Sequence, residues 1–409
     1  MARANSAKHL IAMLDSLSPV AVTSPPDAPF LPRVVWPDAD KPGLRWVVDP
    51  RKSAPGLDSL LTWAFRQDAS RIAFQTGHPV WVSIHGRNYR VTVAPTDEID
   101  FSHIVNHLYG ADGMARLQGG NDFDTAYAIQ IDRSTRLRFR LNATPTRTFR
   151  RDGGNIVLRP IPDMPPPLEQ QNVEQEILDA YRPRQGIVIV SGATGSGKST
   201  LIAGMTLAKV MDPDGHSNIV EGAAPVEFLL ERLRGPCSTI NQTEIPRDLP
   251  SFAAFVRGAM RREPTDIIVG ECRDSETMVA AIQAAISGHV VTTTIHANDV
   301  ALTIQRIASL CPPGERENLI SAVAQSLRLI INQRLVRSTD GKRTALREFL
   351  VIDGALRSRL LRTDPAEWPS LTRHAVEGQG QSYRVAIARA LEEGRISEET
   401  AAFELREAG

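Results

Sequence analysis

A glycine-rich loop between an apolar run and a helical run restricts the fold of this chain more than any other feature. The loop fits the pattern G-x-x-x-x-G-K-[ST] and consists of Gly192, Ala193, Thr194, Gly195, Ser196, Gly197, Lys198, Ser199 and Thr200. Gly186–Val190 before the loop is apolar after its first residue, as in a strand buried on both faces of a parallel sheet. Leu201–Val210 after it has helical spacing. This order predicts an α/β sheet that binds a ligand at the carboxyl ends of its strands.

The composition of the glycine-rich loop indicates a bound nucleotide. Glycine allows backbone N–H groups to approach phosphate oxygens closely, and the N-terminus of the following helix adds positive partial charge. We expect Lys198 to contact the β- and γ-phosphates and Ser199 to offer its hydroxyl to Mg²⁺. A chance match would lack the strand and the helix that flank this loop. The sequence therefore predicts ATP and Mg²⁺ as the ligands.

Two more apolar runs extend the predicted sheet. Ile267–Val269 and Val290–Ile295 repeat the pattern of a buried strand, with helical segments between them. Strands that alternate with helices predict a doubly wound parallel sheet, and hence an α/β fold class. Beyond Arg316 the apolar spacing predicts a helical region, whose buried face contains Leu319, Ala322, Val323, Leu327, Ile330 and Ile331.

The N-terminal part of the chain predicts a separate, smaller domain. Leu57–Phe65 has helical apolar spacing. Alternating residues predict strands at Val80–Ile84, Tyr89–Val93, Thr125–Ile131, Leu137–Asn142 and Asn155–Leu158. Five prolines within Pro160–Pro167 exclude a helix or a central strand, which indicates a linker. We therefore predict a flexible arm at 1–55, an α+β domain at 56–159, a proline-rich linker at 160–168 and an α/β domain with a helical C-terminal part at 169–409.

An acidic residue after the second apolar run is a candidate for the hydrolytic carboxylate. Glu271 follows Asp266–Gly270, at a position where ligands bind in open α/β sheets. A water that attacks the γ-phosphate needs an orienting or accepting group, and Glu271 supplies one. The same carboxylate is a candidate Mg²⁺ ligand through a bridging water. The alternative is a solvated acid that closes a strand.

Three more polar residues flank these strands. Asp274 precedes a helical pattern that starts at Thr277, which predicts a helix N-cap, with Glu276 as a partner of the helix dipole. His289 precedes the third apolar run and His296 follows it. For each histidine, spacing is equally compatible with a structural hydrogen bond and with a contact to nucleotide. Both are therefore candidate nucleotide-binding residues.

Charge and cysteine content argue against several classes of protein. The chain carries 47 basic and 47 acidic residues, which gives no overall attraction to nucleic acid or an anionic membrane. Cys237, Cys272 and Cys311 form no Cys-x-x-Cys pair, so we expect neither a disulfide framework nor a zinc site. No signal-peptide pattern and no run of ~18 apolar residues is present. We expect a cytoplasmic protein that only its partners hold at a membrane.

Four segments together resemble the family of secretion ATPases that power type II secretion, type IV pili and type IV secretion. They are the glycine-rich loop, Pro225–Phe228, Asp266–Thr277 and Gly288–His296. The resemblance extends from about Arg138 to the C-terminus. In addition, Asp68–Gly77 and Ile84–Gly86 resemble the PAS-like domain of the pilus-retraction branch. This branch includes relatives of the DotB and TraJ type in type IVB secretion and conjugative plasmid transfer.

The resemblance implies an assembly and an activity. It implies a homohexameric ring, whose subunits join a PAS-like α+β domain to a RecA-like P-loop ATPase domain with ATP between them. Arginines of the N-terminal domain would complete the site, and Arg138 and Arg140 match the family's Arg-Phe-Arg-x-Asn strand. For a second arginine segment, the choice among Arg147, Arg150 and Arg151 stays open. The implied partners are inner-membrane components of a secretion or conjugation machine.

One acidic segment departs from the family pattern. The family has Glu-Asp-Pro-Ile-Glu-Phe or Glu-Ala-Pro-Ile-Glu-Phe, whereas Ala223–Phe228 has Ala-Ala-Pro-Val-Glu-Phe. The nearest upstream acid is Glu221. Either Glu221 takes the metal or water role, which makes it a candidate catalytic residue, or that role is weakened.

Three functions follow from these patterns. The first is an ATPase motor for secretion, conjugation or pilus dynamics, with the candidate catalytic residues Lys198, Glu271, Glu221, Arg138 and Arg140. The second is a nucleic-acid translocase on the same core, against which the neutral charge and the lack of interleaved aromatic and basic residues count. The third, suggested by the altered acidic segment, is an assembly subunit that is controlled by nucleotide binding and does not hydrolyse the nucleotide.

Overall fold

The computed structural model describes residues 54–92, 94–132, 136–147, 152–161 and 163–407. The predicted arm lies outside these residues except for Ala54 and Pro55. The chain divides between Asp163 and Met164 into two compact units, called here the N-terminal unit and the C-terminal unit. The domain boundaries given above stay predictions. Within the described residues, no helix combines the length and apolar character needed to span a membrane.

An antiparallel sheet of six strands forms the framework of the N-terminal unit, in the order β3-β2-β1-β6-β5-β4. Its elements are α1 (Ala54–Arg66), β1 (Ala69–Gln75), β2 (Trp81–Ile84), β3 (Arg87–Arg90), α2 (Glu98–Leu108), α3 (Gly113–Gln118), β4 (Phe123–Gln130), β5 (Arg136–Arg147) and β6 (Asp152–Ile161). The apolar stripe of α1 is fully buried in one core with Ile72 and Phe74 of β1. This stripe explains why the spacing predicts the helix.

Strand β5 divides its residues between the core and the opposite face of the sheet. Leu137, Phe139 and Leu141 are buried, whereas Arg138 and Arg140 between them are half-exposed. This alternation with a period of two is what a sheet covered on one face requires. The two arginines therefore lie side by side on the face away from the core.

Strand β6 continues into the segment predicted as a linker, because Pro160 and Ile161 belong to it. Pro160 lies opposite Phe139 of β5. On its other side, β6 pairs with β1 only from Asn155 to Leu158. Pro160 thus occupies a position with one neighbouring strand, where its missing N–H is tolerated.

A seven-stranded sheet forms the centre of the C-terminal unit, in the order β13-β12-β7-β11-β10-β8-β9. All neighbours are parallel except β12 and β13. The strands are β7 (Gly186–Ser191), β8 (Asn218–Ala223), β9 (Thr239–Glu244), β10 (Asp266–Val269), β11 (Val290–Ile295), β12 (Leu327–Arg337) and β13 (Arg343–Val351). The helices are α4 (Leu168–Gln171), α5 (Gln175–Ala180), α6 (Lys198–Met211), α7 (Phe252–Ala259), α8 (Ser275–Ile286), α9 (Val300–Leu310), α10 (Arg316–Ser326), α11 (Gly354–Arg362), α12 (Trp368–Gln379), α13 (Tyr383–Glu392) and α14 (Glu398–Glu407).

Helices cover both faces of this sheet. Ile187 and Ile189 of β7 belong to one core, together with residues of α8, α9 and α10. Val188 and Val190 belong to a second core with residues of α6. Each strand residue of this run is thus buried on one face or the other, which produces the continuous apolar run in the sequence. The doubly wound α/β architecture predicted from that run is confirmed.

The helical pattern predicted beyond Arg316 is wrong in its second half. Helix α10 contains Leu319, Ala322 and Val323, whereas strand β12 contains Leu327, Ile330 and Ile331. Strand β12 lies between β7 and β13, and its apolar residues are buried. Spacing alone does not separate such a buried strand from a buried helix.

The carboxyl ends of three parallel strands meet at one edge of the sheet. Strand β7 ends at Ser191, which pairs in register with Ile295 at the end of β11. Val269 at the end of β10 pairs with Thr293 of β11. The segments that follow these strands, including the glycine-rich loop, therefore emerge next to one another.

Candidate nucleotide site

Three glycines of the glycine-rich loop have positive φ angles, which glycine adopts without strain. Gly192, Gly195 and Gly197 have φ values of 142°, 77° and 84°, in a region that is costly for residues with a Cβ atom. A Cβ atom on Gly192 would also collide with the backbone oxygen of Gln333, and one on Gly197 would lie 2.8 Å from the Gln333 Nε2. The loop is thus held tightly against β12.

Lys198 begins α6 and directs its ammonium group back over the loop. Its Nζ donates hydrogen bonds to the carbonyl oxygens of Gly192 at 2.9 Å and Ala193 at 2.8 Å. Burial lowers the pKa of Lys198, and the negative charges of Glu271 and Glu227 act in the opposite direction. The loop therefore presents a buried cation that the negative charges of two nearby acids favour.

Glu271 lies two residues beyond the end of β10 and is half-buried. Its Oε1 is 3.4 Å from the Nε2 of His296, and its Oε2 is 3.3 Å from an Nη2 of Arg273. His296 also lines a cleft of about 410 Å³ with Gly192 and Ala193. The structure thus brings Glu271 and His296 together beside the loop. Asp274 caps α8 by accepting a hydrogen bond from the Thr277 N–H at 2.8 Å, which confirms the predicted N-cap.

The donors of this loop fit a triphosphate with its metal ion. Ser196 Oγ is buried and has no hydrogen-bond partner among the described residues, and Ser199 is exposed in the first turn of α6. Within the described residues, no group of three or more His, Cys, Asp or Glu is arranged to hold a metal ion. Mg²⁺ that arrives with a nucleotide takes most of its ligands from phosphate and water. The Ser199 hydroxyl and the Glu271 carboxylate supply oxygen ligands of the kind it prefers.

Glu221 lies within β8, and its hydrogen bond goes to the neighbouring strand. Its Oε2 accepts a hydrogen bond from Gln242 Nε2 at 2.6 Å, and the same nitrogen donates to the Phe228 carbonyl at 2.8 Å. This arrangement fixes the segment that carries Glu227, whose charge acts on Lys198. Burial raises the pKa of Glu221 to about 7, although the hydrogen bond from Gln242 opposes this shift.

Glu221→Gln is expected to remove a pH dependence of stability. Because its pKa is raised from 4.5 to about 7, the folded protein binds an extra proton between these pH values, and stability falls as pH rises through this window. Above pH 7 the ionised carboxylate costs about 3 kcal/mol, since each pKa unit corresponds to about 1.4 kcal/mol. Thermal unfolding at pH 5 and pH 8 should show the variant several degrees more stable at pH 8 only. A gain in stability that is equal at pH 5 and pH 8 would contradict the raised pKa. The same gain at pH 8 in the control Glu276→Gln, which removes an exposed acid, would also contradict it.

His289 lies away from the glycine-rich loop within this chain. It immediately precedes β11, and Val290, the next residue, pairs with Gly186 at the start of β7. Its Nδ1 is 3.1 Å from the Pro264 carbonyl oxygen, and it lines a cleft of about 630 Å³ with Lys209 and Asp266. The structure therefore gives His289 a structural hydrogen bond at the amino edge of the sheet, and of the two histidines only His296 adjoins the loop.

The arginine candidates belong to the N-terminal unit, which is described by itself. Arg138 and Arg140 lie on the half-exposed face of β5, and Arg140 is 3.7 Å from Asp124 of β4. Arg147 ends β5. Arg150 and Arg151 lie outside the described residues.

Three residues that support the loop or act on the charge of Lys198 are absent from the predicted set. Glu227 belongs to a segment that carries the family resemblance, and its spacing from Pro225 is the signal that points to it. Gln333 donates from Nε2 to the Ser196 carbonyl at 2.7 Å, and Arg347 donates from Nε to the Gln333 Oε1 at 2.7 Å. Both lie more than 130 residues beyond the loop, and no local pattern marks them.

Comparison with known proteins agrees with this geometry. Residues 123–400 match the model of the family described as "Type II/IV secretion system protein". The chain is 29% identical to the type IV pilus retraction ATPase PilT of Pseudomonas aeruginosa over 308 residues, which cover 75% of this chain and 86% of PilT.

Two solved structures are also similar. The ATPase DotB of Legionella pneumophila has a TM-score of 0.82 and 37% identity, with 88% of this chain and 97% of DotB covered. The pilus retraction motor PilT with bound ADP has a TM-score of 0.68 and 27% identity, with 86% of this chain and 96% of PilT covered. The family match, the nucleotide loop and the doubly wound sheet lead to one conclusion. The chain belongs to the Type II/IV secretion system protein family, and it is a RecA-like ATPase of PilT-like and DotB-like type.

Proposed function

We propose that this chain is a subunit of a homohexameric motor, which hydrolyses MgATP to drive a type IV secretion, conjugative transfer or pilus apparatus. The observation that carries the proposal is Lys198, a buried ammonium group that contacts the glycine-rich loop and whose charged form Glu271 and Glu227 favour. A cation that is buried at a helix N-terminus and faced by acids is suited to a triphosphate with its metal ion.

Each residue around the loop has one task in this proposal. Backbone N–H groups of the loop and the Lys198 ammonium bind the β- and γ-phosphates. The Ser199 hydroxyl would hold Mg²⁺ together with the nucleotide, and the metal ion would supply positive charge to neutralise the phosphates. Glu271 orients the attacking water, and His296, 3.4 Å away, positions the carboxylate. We assign the second acidic role to Glu227 rather than to Glu221, because Gln242 binds the Glu221 carboxylate.

A second cleft beside the loop offers space for the nucleoside. It has a volume of about 700 Å³, and its lining includes Gly197 and Thr200 of the loop, Leu335 of β12 and Arg343 of β13. The lining is mostly polar, with Pro166, Leu335 and Ala345 as its apolar members, so it offers many hydrogen-bonding groups to a ribose and a small apolar surface to a base. We propose that the nucleotide extends from the loop into this cleft.

The N-terminal unit contributes positive charge in this proposal. Arg138 and Arg140 share the half-exposed face of β5. Guanidinium groups fit the charge that develops on a transferring phosphoryl group. We propose that these arginines complete the ATP site of the assembled ring, and that hydrolysis moves one domain against the other about the proline run.

Similarity to known proteins supports a proposal for the cellular location of this chain. One is described as a pilus retraction motor and another as the ATPase DotB. We propose a cytoplasmic protein at the inner membrane, bound there by components of the secretion machine. Nucleic acid is not expected as a direct partner, because the chain has 47 basic and 47 acidic residues.

ATPase activity of size-separated protein tests this function. The hexameric fraction should hydrolyse ATP in a Mg²⁺-dependent manner. The monomer should be much slower, because in this proposal Arg138 and Arg140 reach the ATP site only when the ring assembles. Addition of single-stranded or double-stranded DNA should leave the rate unchanged. Strong stimulation by DNA would favour the translocase instead, and ATP binding without hydrolysis would favour a nucleotide-gated subunit.

A further inference from the structure

Gln333 and Arg347 form a buried polar connection behind the glycine-rich loop. They are register partners on β12 and β13, and they are 2% and 1% exposed. The Arg347 Nε donates to the Gln333 Oε1 at 2.7 Å. Because a guanidinium group only donates hydrogen bonds, it fixes the amide orientation of Gln333, with the oxygen toward Arg347 and the nitrogen toward the loop.

The nitrogen of Gln333 determines how one loop peptide is oriented. It donates to the Ser196 carbonyl oxygen at 2.7 Å. In a planar trans peptide the C=O and the following N–H point in opposite directions. The hydrogen bond to Ser196 therefore fixes the direction of the Gly197 N–H, one of the donors that a phosphate-binding loop uses.

The other end of Arg347 binds the segment that follows the proline run. Its Nη1 donates to the Asn172 carbonyl at 2.8 Å and to the Glu174 Oε2 at 3.1 Å, and its Nη2 donates to the Gln171 carbonyl at 2.8 Å. Glu174 also accepts a hydrogen bond from Gln381 Nε2 at 3.0 Å. One buried side chain thus contacts both the support of the loop and the backbone just beyond Pro160–Pro167.

We propose that Gln333 and Arg347 are positioning residues that couple nucleotide binding at the loop to segment 171–174. The proposal rests on ATP binding at this loop, as proposed above. A phosphate that binds the Gly197 N–H favours one orientation of the Ser196–Gly197 peptide, and Gln333 and Arg347 favour the same one. The same guanidinium group holds segment 171–174. A change in the conformation of this segment therefore alters the free energy of nucleotide binding at the loop, and nucleotide binding alters the conformational free energy of the segment.

A purely structural arginine is the competing explanation, and the chain offers variants that separate the two. Gln333→Glu removes the donor to Ser196 but keeps an acceptor for Arg347. Glu174→Gln weakens the hold on Arg347 from the far side without touching the loop. Glu169→Gln is the matched control, because Glu169 is an exposed acid on α4, two residues before segment 171–174.

A double-mutant cycle on full-length protein, with the dissociation constant for MgATP as the readout, tests the coupling. We expect Glu174→Gln to weaken ATP binding about fivefold and Gln333→Glu about tenfold or more, with Glu169→Gln unchanged. In the Gln333→Glu background, Glu174→Gln should add nothing, since the connection is already broken. Multiplicative effects of the two substitutions, or no effect of Glu174→Gln, would overturn the coupling.

Hydrogen exchange supplies an independent readout that a structural role would not move. In the wild type, saturating MgATP should slow amide exchange in segment 171–174, and this protection should be lost in Gln333→Glu at saturating nucleotide. If Gln333→Glu does not fold, Gln333→Met, which also removes the donor to Ser196, replaces it. A wild type that binds no ATP would overturn both the proposed function and the coupling. Wild-type binding with nucleotide-independent exchange in 171–174 would overturn the coupling alone.

Discussion

Lys198→Met is expected to weaken ATP binding strongly and to lower hydrolysis even further, while the protein stays folded. The ammonium group donates to two loop carbonyls at 2.9 and 2.8 Å, and phosphate oxygens are stronger acceptors than either. Loss of this cation should weaken ATP binding by roughly 10²-fold and lower kcat/KM by at least about 10³-fold. Burial lowers the pKa of Lys198, so its charge adds little to stability, and methionine keeps most of the volume. Equilibrium binding of a fluorescent ATP analogue, steady-state ATPase rates and thermal unfolding measure the three effects.

A second buried lysine on the same helix is the matched control. Lys209, in the last turn of α6, pairs with Asp266 at 2.6 Å and lies 4.1 Å from the centre of the Tyr181 ring. Lys209→Met leaves the buried Asp266 carboxylate without its cation, which costs about 3–5 kcal/mol. We expect a lower melting temperature with ATP affinity unchanged in the folded protein. If Lys198→Met keeps wild-type turnover, the proposed site is wrong.

The strand, the loop and the helix around Lys198 are the part that the sequence predicts best. Their pattern is local, because β7, the glycines and the start of α6 follow one another without interruption. The loop glycines are informative for the same reason, since φ values such as 142° at Gly192 and 84° at Gly197 favour this residue. Here sequence order and spatial order coincide.

Strand geometry explains why the two histidines differ. Both flank Val290–Ile295 in the sequence, so spacing makes them equivalent. A strand of six residues is about 20 Å long, however, and its two ends lie at opposite edges of the sheet. His296 lies at the carboxyl edge beside Glu271, and His289 lies at the amino edge beside Pro264. The direction of β11 relative to β7 decides which histidine adjoins the loop.

The support of the loop is the part that sequence patterns do not reveal. Gln333 binds Ser196 across 137 residues, and Arg347 binds Gln171 across 176 residues. Hydrogen bonds between segments so far apart leave no periodicity in the sequence. Strand β12, which carries Gln333, has an apolar run that resembles the preceding helix. The site therefore depends on a strand that the apolar spacing assigns to a helix.

Glu271→Gln is expected to stop turnover while ATP still binds. The substitution keeps the size of the side chain but removes the negative charge. That charge orients the attacking water and allows the carboxylate to accept a proton from it. General-base assistance of this kind contributes roughly 10²–10⁴-fold, so kcat should fall by that factor. The loop, Lys198 and Ser199 remain, so the dissociation constant for ATP should change by less than about threefold. Single-turnover hydrolysis and equilibrium binding on the same preparation separate the two quantities.

Dependence on Mg²⁺ distinguishes the two roles that Glu271 can have. If the carboxylate orients water, the Glu271→Gln variant should need the same Mg²⁺ concentration as the wild type to bind ATP. If it holds the metal ion through a bridging water, the variant should need much more, and excess Mg²⁺ should restore part of the rate. Glu276→Gln, which removes an exposed acid paired with Arg257 at 3.1 Å, is the control for charge alone. Normal turnover in Glu271→Gln would remove Glu271 from the mechanism and leave Glu227 as the other carboxylate whose charge acts on Lys198.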